Sequence, residues 1–269
     1  MNEQDEWFAT NRAMWDELVP LHVDSAHYDV EGFLAGASTL REFDLEDLGD
    51  VTGRTLVHTQ CHFGLDTLSW ARRGARVTGL DFSGPGVAAA RALAARVGIE
   101  AEFIEANVYD AVDELGGRRF DIVYTGLGAL NWLPDLDRWA RVMATLLAPG
   151  GTFYLAEFHP FSWVFGDDDL SVTYPYFQEG PNVWDEQGSY AVPDAKNEHT
   201  RTYEWTHPLG DVVTSLIRAG LRIELLREHD YVVSKQWPFL EETARGIYRL
   251  PADVPSLPLM YSVRASHEG

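Results

Sequence analysis

The chain of 269 residues has one cysteine, Cys61, so it forms no internal disulfide and implies nothing about an oxidising compartment. It also lacks any apolar run near the ~18 residues that would cross a bilayer. Its first residues, Met-Asn-Glu-Gln-Asp-Glu, are acidic and contain no secretory hydrophobic segment. A cytoplasmic protein without a membrane partner is the expectation. Positive charge is scarce, with 21 Lys and Arg against 42 Asp and Glu and a formal net charge of −21. That balance repels a phosphate backbone and weighs against DNA or RNA as substrate. The acidity is read as a solubility device rather than a pointer to a cationic substrate. Repeats, low-complexity tracts and linkers are also missing, and 45% hydrophobic content supplies a core. The expectation is one domain over 1–269, with an N-terminal lid at 1–45 and an aromatic-rich insertion at about 158–205.

The chain is organised around Thr55-Leu-Val-His-Thr-Gln-Cys-His-Phe-Gly64, then Leu65-Asp-Thr-Leu-Ser-Trp-Ala71, then Ala75-Arg-Val-Thr-Gly-Leu-Asp-Phe-Ser83. A β-type run breaks at a glycine into a helical pattern, and a second β-type run ends on an acid. In a parallel α/β unit the first turn admits a ligand to the backbone, and the acid accepts hydrogen bonds from ribose hydroxyls. The ligand therefore carries a nucleoside. Glycine is scarce here too: Gly64 is the only one between Thr55 and Gly74. A dinucleotide fold needs G-x-G-x-x-G to bring a pyrophosphate onto bare backbone N–H groups, so a pyrophosphate cradle is disfavoured.

The pattern resembles motif I of the class I S-adenosylmethionine (SAM)-dependent methyltransferases, with His58, Gln60, His62 and Gly64 standing where that family has acid-x-G-x-G-x-G. Three of the four positions depart from it. The loop Gln60-Cys-His-Phe-Gly-Leu-Asp-Thr67 is similar to that of a bacterial branch acting on small molecules. The resemblance implies a Rossmann-like α/β fold: a mostly parallel seven-stranded sheet, helices on both faces and an antiparallel last strand. It also implies SAM as cofactor, S-adenosylhomocysteine as product and a small-molecule methyl acceptor. Gln60, Cys61, His62 and Gly64 would line the amino-acid end of SAM, and Asp81, Phe82 and Ser83 the ribose. Asn107 and Val108, after the third strand, would meet the adenine.

Residues 4–18 show helical spacing, and 22–40 read as a long loop, which the resemblance makes part of a lid with Trp15 and Tyr28 as contacts. Ser83 caps a helix that runs through Val97, with Pro85 in its first turn and Gly98 beyond its end. Strands follow at 100–106 and 120–125. Thr125 and Gly126 then open a glycine-bearing block, in which Asn131 and Trp132 are read as walls of a small-molecule pocket. Asp135 caps the next helix, Pro149-Gly-Gly precedes the fifth strand, and a helix near 209–217 leads to strands at 221–229 and 259–265. A loop with some helix is expected over 231–258. The insertion supplies Trp163 and Tyr176 as acceptor contacts.

Methyl transfer from a sulfonium is an in-line displacement that chiefly needs positioning, with a base only where the acceptor must lose a proton. His159, just after the fifth strand, is the candidate base and a candidate substrate contact. Its alternative role is to order the insertion. His58, His62 and Asp66 do not share a face as metal ligands would, so no metal is expected. Two other functions stay open: a nicotinamide-dependent oxidoreductase, and a methyltransferase-like protein that binds without turnover.

Overall fold

A computed structural model describes residues 3–267. Seven strands form one sheet: β1 Thr55–Thr59, β2 Arg76–Asp81, β3 Glu102–Glu105, β4 Phe120–Thr125, β5 Leu147–Phe158, β6 Leu221–His229 and β7 Met260–His267. Their spatial order is β3-β2-β1-β4-β5-β7-β6. β1 to β5 pair in parallel, and β7 runs antiparallel to both β5 and β6. The expected architecture is the observed one.

Among the described residues eight α-helices accompany the sheet: α1 Glu3–Val23, α2 Val30–Leu34, α3 Glu42–Leu48, α4 Leu65–Arg72, α5 Gly84–Val97, α6 Ala111–Glu114, α7 Leu136–Leu146 and α8 Leu209–Arg218. Successive side chains of a strand point to opposite faces, and both faces are buried. On one face Val57, Val123, Phe153, Leu155 and Val263 pack on Trp139 and Met143 of α7 and on Val212 and Leu216 of α8. On the other, Leu56, Ile122, Tyr124, Tyr154 and Met260 pack on Phe43 of α3 and Trp70 of α4.

The caps are local chemistry. Ser83 Oγ accepts from the Gly86 N–H, Pro85 lies in the first turn of α5, and Gly98 ends that helix at φ 66°. Asp135 accepts from the Arg138 N–H over 2.8 Å at the start of α7.

Two segments differ from expectation. The 22–40 stretch is not all loop: α1 continues to Val23, and Asp29 accepts from the Gly32 N–H to start α2. Between Tyr231 and Pro258 the chain forms a small hairpin, Glu241–Ala244 with Ile247–Arg249, where a loop with some helix was expected. A second hairpin, Asn182–Asp185 with Arg201–Glu204, stands in the insertion. Strand order reverses between β1, which continues towards β2, and β4, which continues towards β5. Ligand crevices open beyond the carboxyl ends of strands at such a switch point.

Candidate active site

Thr59, Asp81 and Thr125 end their strands at one level, with Thr59 registered against both Leu80 and Thr125. Beyond these ends lies a cavity of about 890 Å³. Its floor is the turn 60–64. Gln60 and His62 adopt positive φ, 58° and 52°, a conformation that costs non-glycine residues of order 1–3 kcal/mol each unless surroundings enforce it. The enforcing bonds are present. Cys61 N–H donates to Leu80 O over 2.9 Å, Gly64 N–H donates to Cys61 O over 2.9 Å, and His62 N–H donates to Asp81 Oδ2 over 2.7 Å. Ser83 N–H donates to Asp81 Oδ1 over 2.9 Å.

Asp81 is 6% exposed, and burial pushes its carboxyl up to about 6 against the pull of those backbone donors. Each carboxylate oxygen keeps a second lone pair for a ligand. Asn107 accepts from the Tyr109 N–H over 3.1 Å and lines the cavity beside Val108.

Two loops meet across the floor. Gln60 Nε2 donates to Ala129 O over 2.8 Å, while its Oε1 is buried without a partner. The 128–130 turn is itself held by Glu157, which accepts from the N–H groups of Gly128, Ala129 and Leu130 at 2.7, 2.9 and 3.1 Å. Phe158 N–H adds a fourth bond at 2.8 Å. A Cβ at Gly126 would stand 3.2 Å from His58 Nε2, a tight contact. His58 Nδ1 shares a hydrogen bond of 2.8 Å with Thr67 Oγ1, and burial pulls the imidazole down to about 4. Cys61 is buried beside Phe103, which pushes its thiol up and leaves it a packing group.

The roof is α1 and the segment after it. Trp15 meets His62 and Trp132 edge-on, at 5.1 and 5.3 Å between ring centroids. Asp16 accepts from Ser83 Oγ over 2.6 Å. His22 Nδ1 lies 3.1 Å from His62 Nε2, and its Nε2 lies 2.9 Å from Ser189 Oγ. Tyr28 packs on Phe63 at 4.7 Å and shares a hydroxyl hydrogen bond with Tyr190 of the insertion.

To one side Arg41 Nη1 binds Asp66 at 2.7 Å, Asp44 at 3.1 Å and Tyr124 at 3.2 Å. Arg41 and Asp66 both line the cavity. The opposite wall is aromatic: Trp163 lies 6.1 Å from Phe158 and 5.4 Å from Trp237, and Tyr174 lies 5.8 Å from Trp184.

The cavity thus collects Trp15, Tyr28, Gln60, Cys61, His62, Gly64, Asp81, Phe82, Ser83, Asn107, Val108, Gly126, Asn131, Trp132 and Trp163 from the residues singled out in the sequence. Three others stand elsewhere. His159 is kept from the cavity: its Nδ1 accepts from the Phe161 N–H over 3.1 Å, so its Nε2 carries the proton towards Glu228, 3.0 Å away. It orders the start of the insertion, the alternative role. Thr125 lies beneath the floor with its Oγ1 3.0 Å from that of Thr59. Tyr176 accepts from the Leu209 N–H at the start of α8, over 3.1 Å.

Residues the sequence reading did not single out for the site include Asp16, Arg41, Glu157, Glu204 and Trp237. An acid closing a buried strand was the one available signal, for Glu157. The cavity walls from 186 and 237 come from segments with no periodic pattern. Among the described residues, no three His, Cys, Asp or Glu side chains converge as metal ligands, and no helix is long and apolar enough to cross a membrane.

Residues 57–153 match a family described as a methyltransferase domain. Among curated proteins the chain is similar to a ubiquinone biosynthesis O-methyltransferase of Methylobacterium sp. (strain 4-46), 29% identical over 144 residues. That match covers 53% of this chain and 57% of the relative, so the chain spans little more than half the length of the curated relatives it matches. Two crystal structures share the fold. One is an S-adenosylmethionine-dependent methyltransferase from Mesorhizobium loti, 23% identical, TM-score 0.58, covering 87% of this chain and all of that one. The other is the Burkholderia thailandensis 1,6-didemethyltoxoflavin-N1-methyltransferase with bound 1,6-didemethyltoxoflavin and S-adenosylhomocysteine. It is 17% identical with a TM-score of 0.56, covering 100% of this chain and 92% of that one.

Proposed function

We propose that this protein is a SAM-dependent methyltransferase that acts on a small organic molecule. The observation that carries the reading is the Asp81 carboxylate, placed at the end of β2, bound to the turn after β1 and exposed to the cavity at the switch point. The residues present fit an adenosyl sulfonium. Asp81 takes the ribose hydroxyls, Asn107 and Val108 take the adenine edge and face, and the orphaned Gln60 Oε1 is an acceptor for the ammonium of the amino-acid end. Arg41 makes its three side-chain bonds through Nη1, and its remaining donors suit the carboxylate of that end.

The bound donor supplies an electrophilic methyl group. This chain supplies position: the 60–64 turn holds the donor, the Asn131–Trp132 segment holds the acceptor in line with it, and Trp15 and Tyr28 of the roof exclude water. The same geometry opposes a nicotinamide dinucleotide. Backbone donors that would cradle its pyrophosphate, those of Cys61, His62 and Gly64, are already committed to Leu80, Asp81 and Cys61. The matched family domain and the shared fold support methylation independently of this geometry.

Calorimetric titration with S-adenosylhomocysteine and with NAD tests the reading. Binding of the first alone, followed by S-adenosylhomocysteine release with an acceptor panel, is expected. Binding of NAD, or of neither, would refute it.

A further inference from the structure

Beside the 128–130 turn, the cavity is lined by two acceptor groups, Asn131 and Glu204, that the protein leaves part-used. Asn131 Nδ2 donates to Glu204 Oε2 over 3.2 Å. The Asn131 Oδ1 is buried with no hydrogen-bond partner. The orientation of this amide is fixed, because turning it would set Oδ1 against a carboxylate. Thr202 Oγ1 donates to the other oxygen of Glu204 over 3.0 Å, and Trp205 N–H donates to Asn131 O over 2.8 Å, so both groups are held in place. Asn131 Oδ1 and Glu204 Oε2 therefore flank one amide nitrogen, and both side chains line the cavity. A buried acceptor without a donor costs roughly 1–3 kcal/mol, which a ligand can return.

We propose that the methyl acceptor is an amine on a flat aromatic or arylalkyl molecule, its nitrogen held by Asn131 Oδ1 and Glu204 Oε2 and its ring by Trp163 and Trp237. This rests on the methyltransferase reading and adds the acceptor atom to it. A hydroxyl has one proton and satisfies one of the two oxygens, whereas an amine has a donor for each. The neighbouring charges agree: Asp167 and Glu186 stand at the rim, and the cavity's one cationic side chain, Arg41, is already paired with Asp44 and Asp66. The aromatic walls favour a group with positive character. In the reaction the neutral amine's lone pair forms the new N–C bond as the C–S bond of the methylsulfonium breaks. The bonding pair goes to sulfur, and an N–H proton passes to Glu204. Burial raises the Glu204 carboxyl, which suits it to receive that proton.

The experiment measures binding of matched probes to protein saturated with S-adenosylhomocysteine: primary aromatic and arylalkyl amines against their hydroxyl counterparts, including tryptamine with tryptophol and 5-aminoindole with 5-hydroxyindole. Wild-type protein should prefer the amines at least tenfold. Glu204→Gln and Asn131→Ala should each remove that preference while S-adenosylhomocysteine affinity stays within about twofold. A thermal melt confirms that the variants are folded. Equal or tighter binding of the hydroxyl probes overturns the assignment, as does failure of every amine to bind at millimolar concentration or a preference that survives both substitutions. None of those results touches the methyltransferase reading, which is judged separately by the titrations of wild-type protein with S-adenosylhomocysteine and with NAD.

Discussion

His62 donates its backbone N–H to the Asp81 carboxylate over 2.7 Å, so the side chain offered to the nucleoside is also the clamp on the turn beneath it. Asp81→Ala removes both roles. SAM affinity is expected to fall by about 1–3 kcal/mol from lost hydrogen bonds to a charged acceptor, with a further loss as the turn relaxes. Titration calorimetry reads the change, and unaltered affinity would remove Asp81 from the site.

The raised Asp81 carboxyl makes that affinity depend on pH. Ribose hydroxyls donate to the ionised form, whereas the free protein holds a proton there up to about pH 6. Below that pH a proton must leave before the donor binds, and affinity should fall by up to about tenfold per pH unit. A calorimetric series from pH 7.5 to 5 checks this. A flat profile would contradict it.

Stability should follow a second pH window. Burial lowers the imidazoles of His22, His27, His58, His62, His159, His207 and His229, His22 and His58 to about 4. A histidine depressed in the folded state contributes stability that is present above its ordinary value of 6.5 and is lost as pH falls towards the folded value. The raised carboxyls of Asp44, Asp81, Glu157 and Glu204 act in the opposite sense and are fewer. The expected outcome is a Tm that drops between pH 7 and pH 5. A Tm that rises on acidification would show that these imidazoles are not held neutral.

Glu157→Gln keeps the shape but turns an amide donor towards four N–H groups that now share one carboxylate. A loss of about 2–4 kcal/mol in urea unfolding is expected, from broken charged hydrogen bonds and buried donors left facing a donor. The 128–130 turn should loosen with it and weaken acceptor binding. An unfolding midpoint equal to that of wild type would show that the turn stands without this carboxylate.

Gly64→Ala places a Cβ 2.8 Å from the Phe103 ring at a residue with φ 82°. Strain and overpacking together should cost about 1–4 kcal/mol. Gly98→Ala serves as the control, since it has φ 66° but an open surrounding. Equal losses in the two variants would mean that the close approach at 64 contributes nothing.

The fold was legible because its signals are local: strands buried on both faces give apolar runs, and Ser83, Gly98 and Asp135 mark helix ends by their own chemistry. The floor of the site was legible for the same reason, since Gln60 to Gly64 and Asp81 sit at strand ends. The walls were not. Trp237 reaches the cavity from the irregular segment ahead of a hairpin whose short strands have no buried face, and Glu204 from another hairpin whose burial alternates only weakly. His159 shows the limit most clearly. Its place after β5 suggested chemistry, but Glu228, 69 residues away, holds its Nε2 at 3.0 Å, and the side chain does not line the cavity.

Asn11 of α1 pairs with the backbone of Tyr203 in both directions, at 2.8 and 2.9 Å, and Glu17 one and a half turns later accepts from the N–H groups of Glu198 and His199. Trp15, on the same helix, rests on His62. One rigid rod is thus stitched to the acceptor hairpin and also leans on the donor turn. Any movement of α1 would therefore pull on the 198–203 segment and on His62 together, so the two sides of the cavity are mechanically tied through this helix.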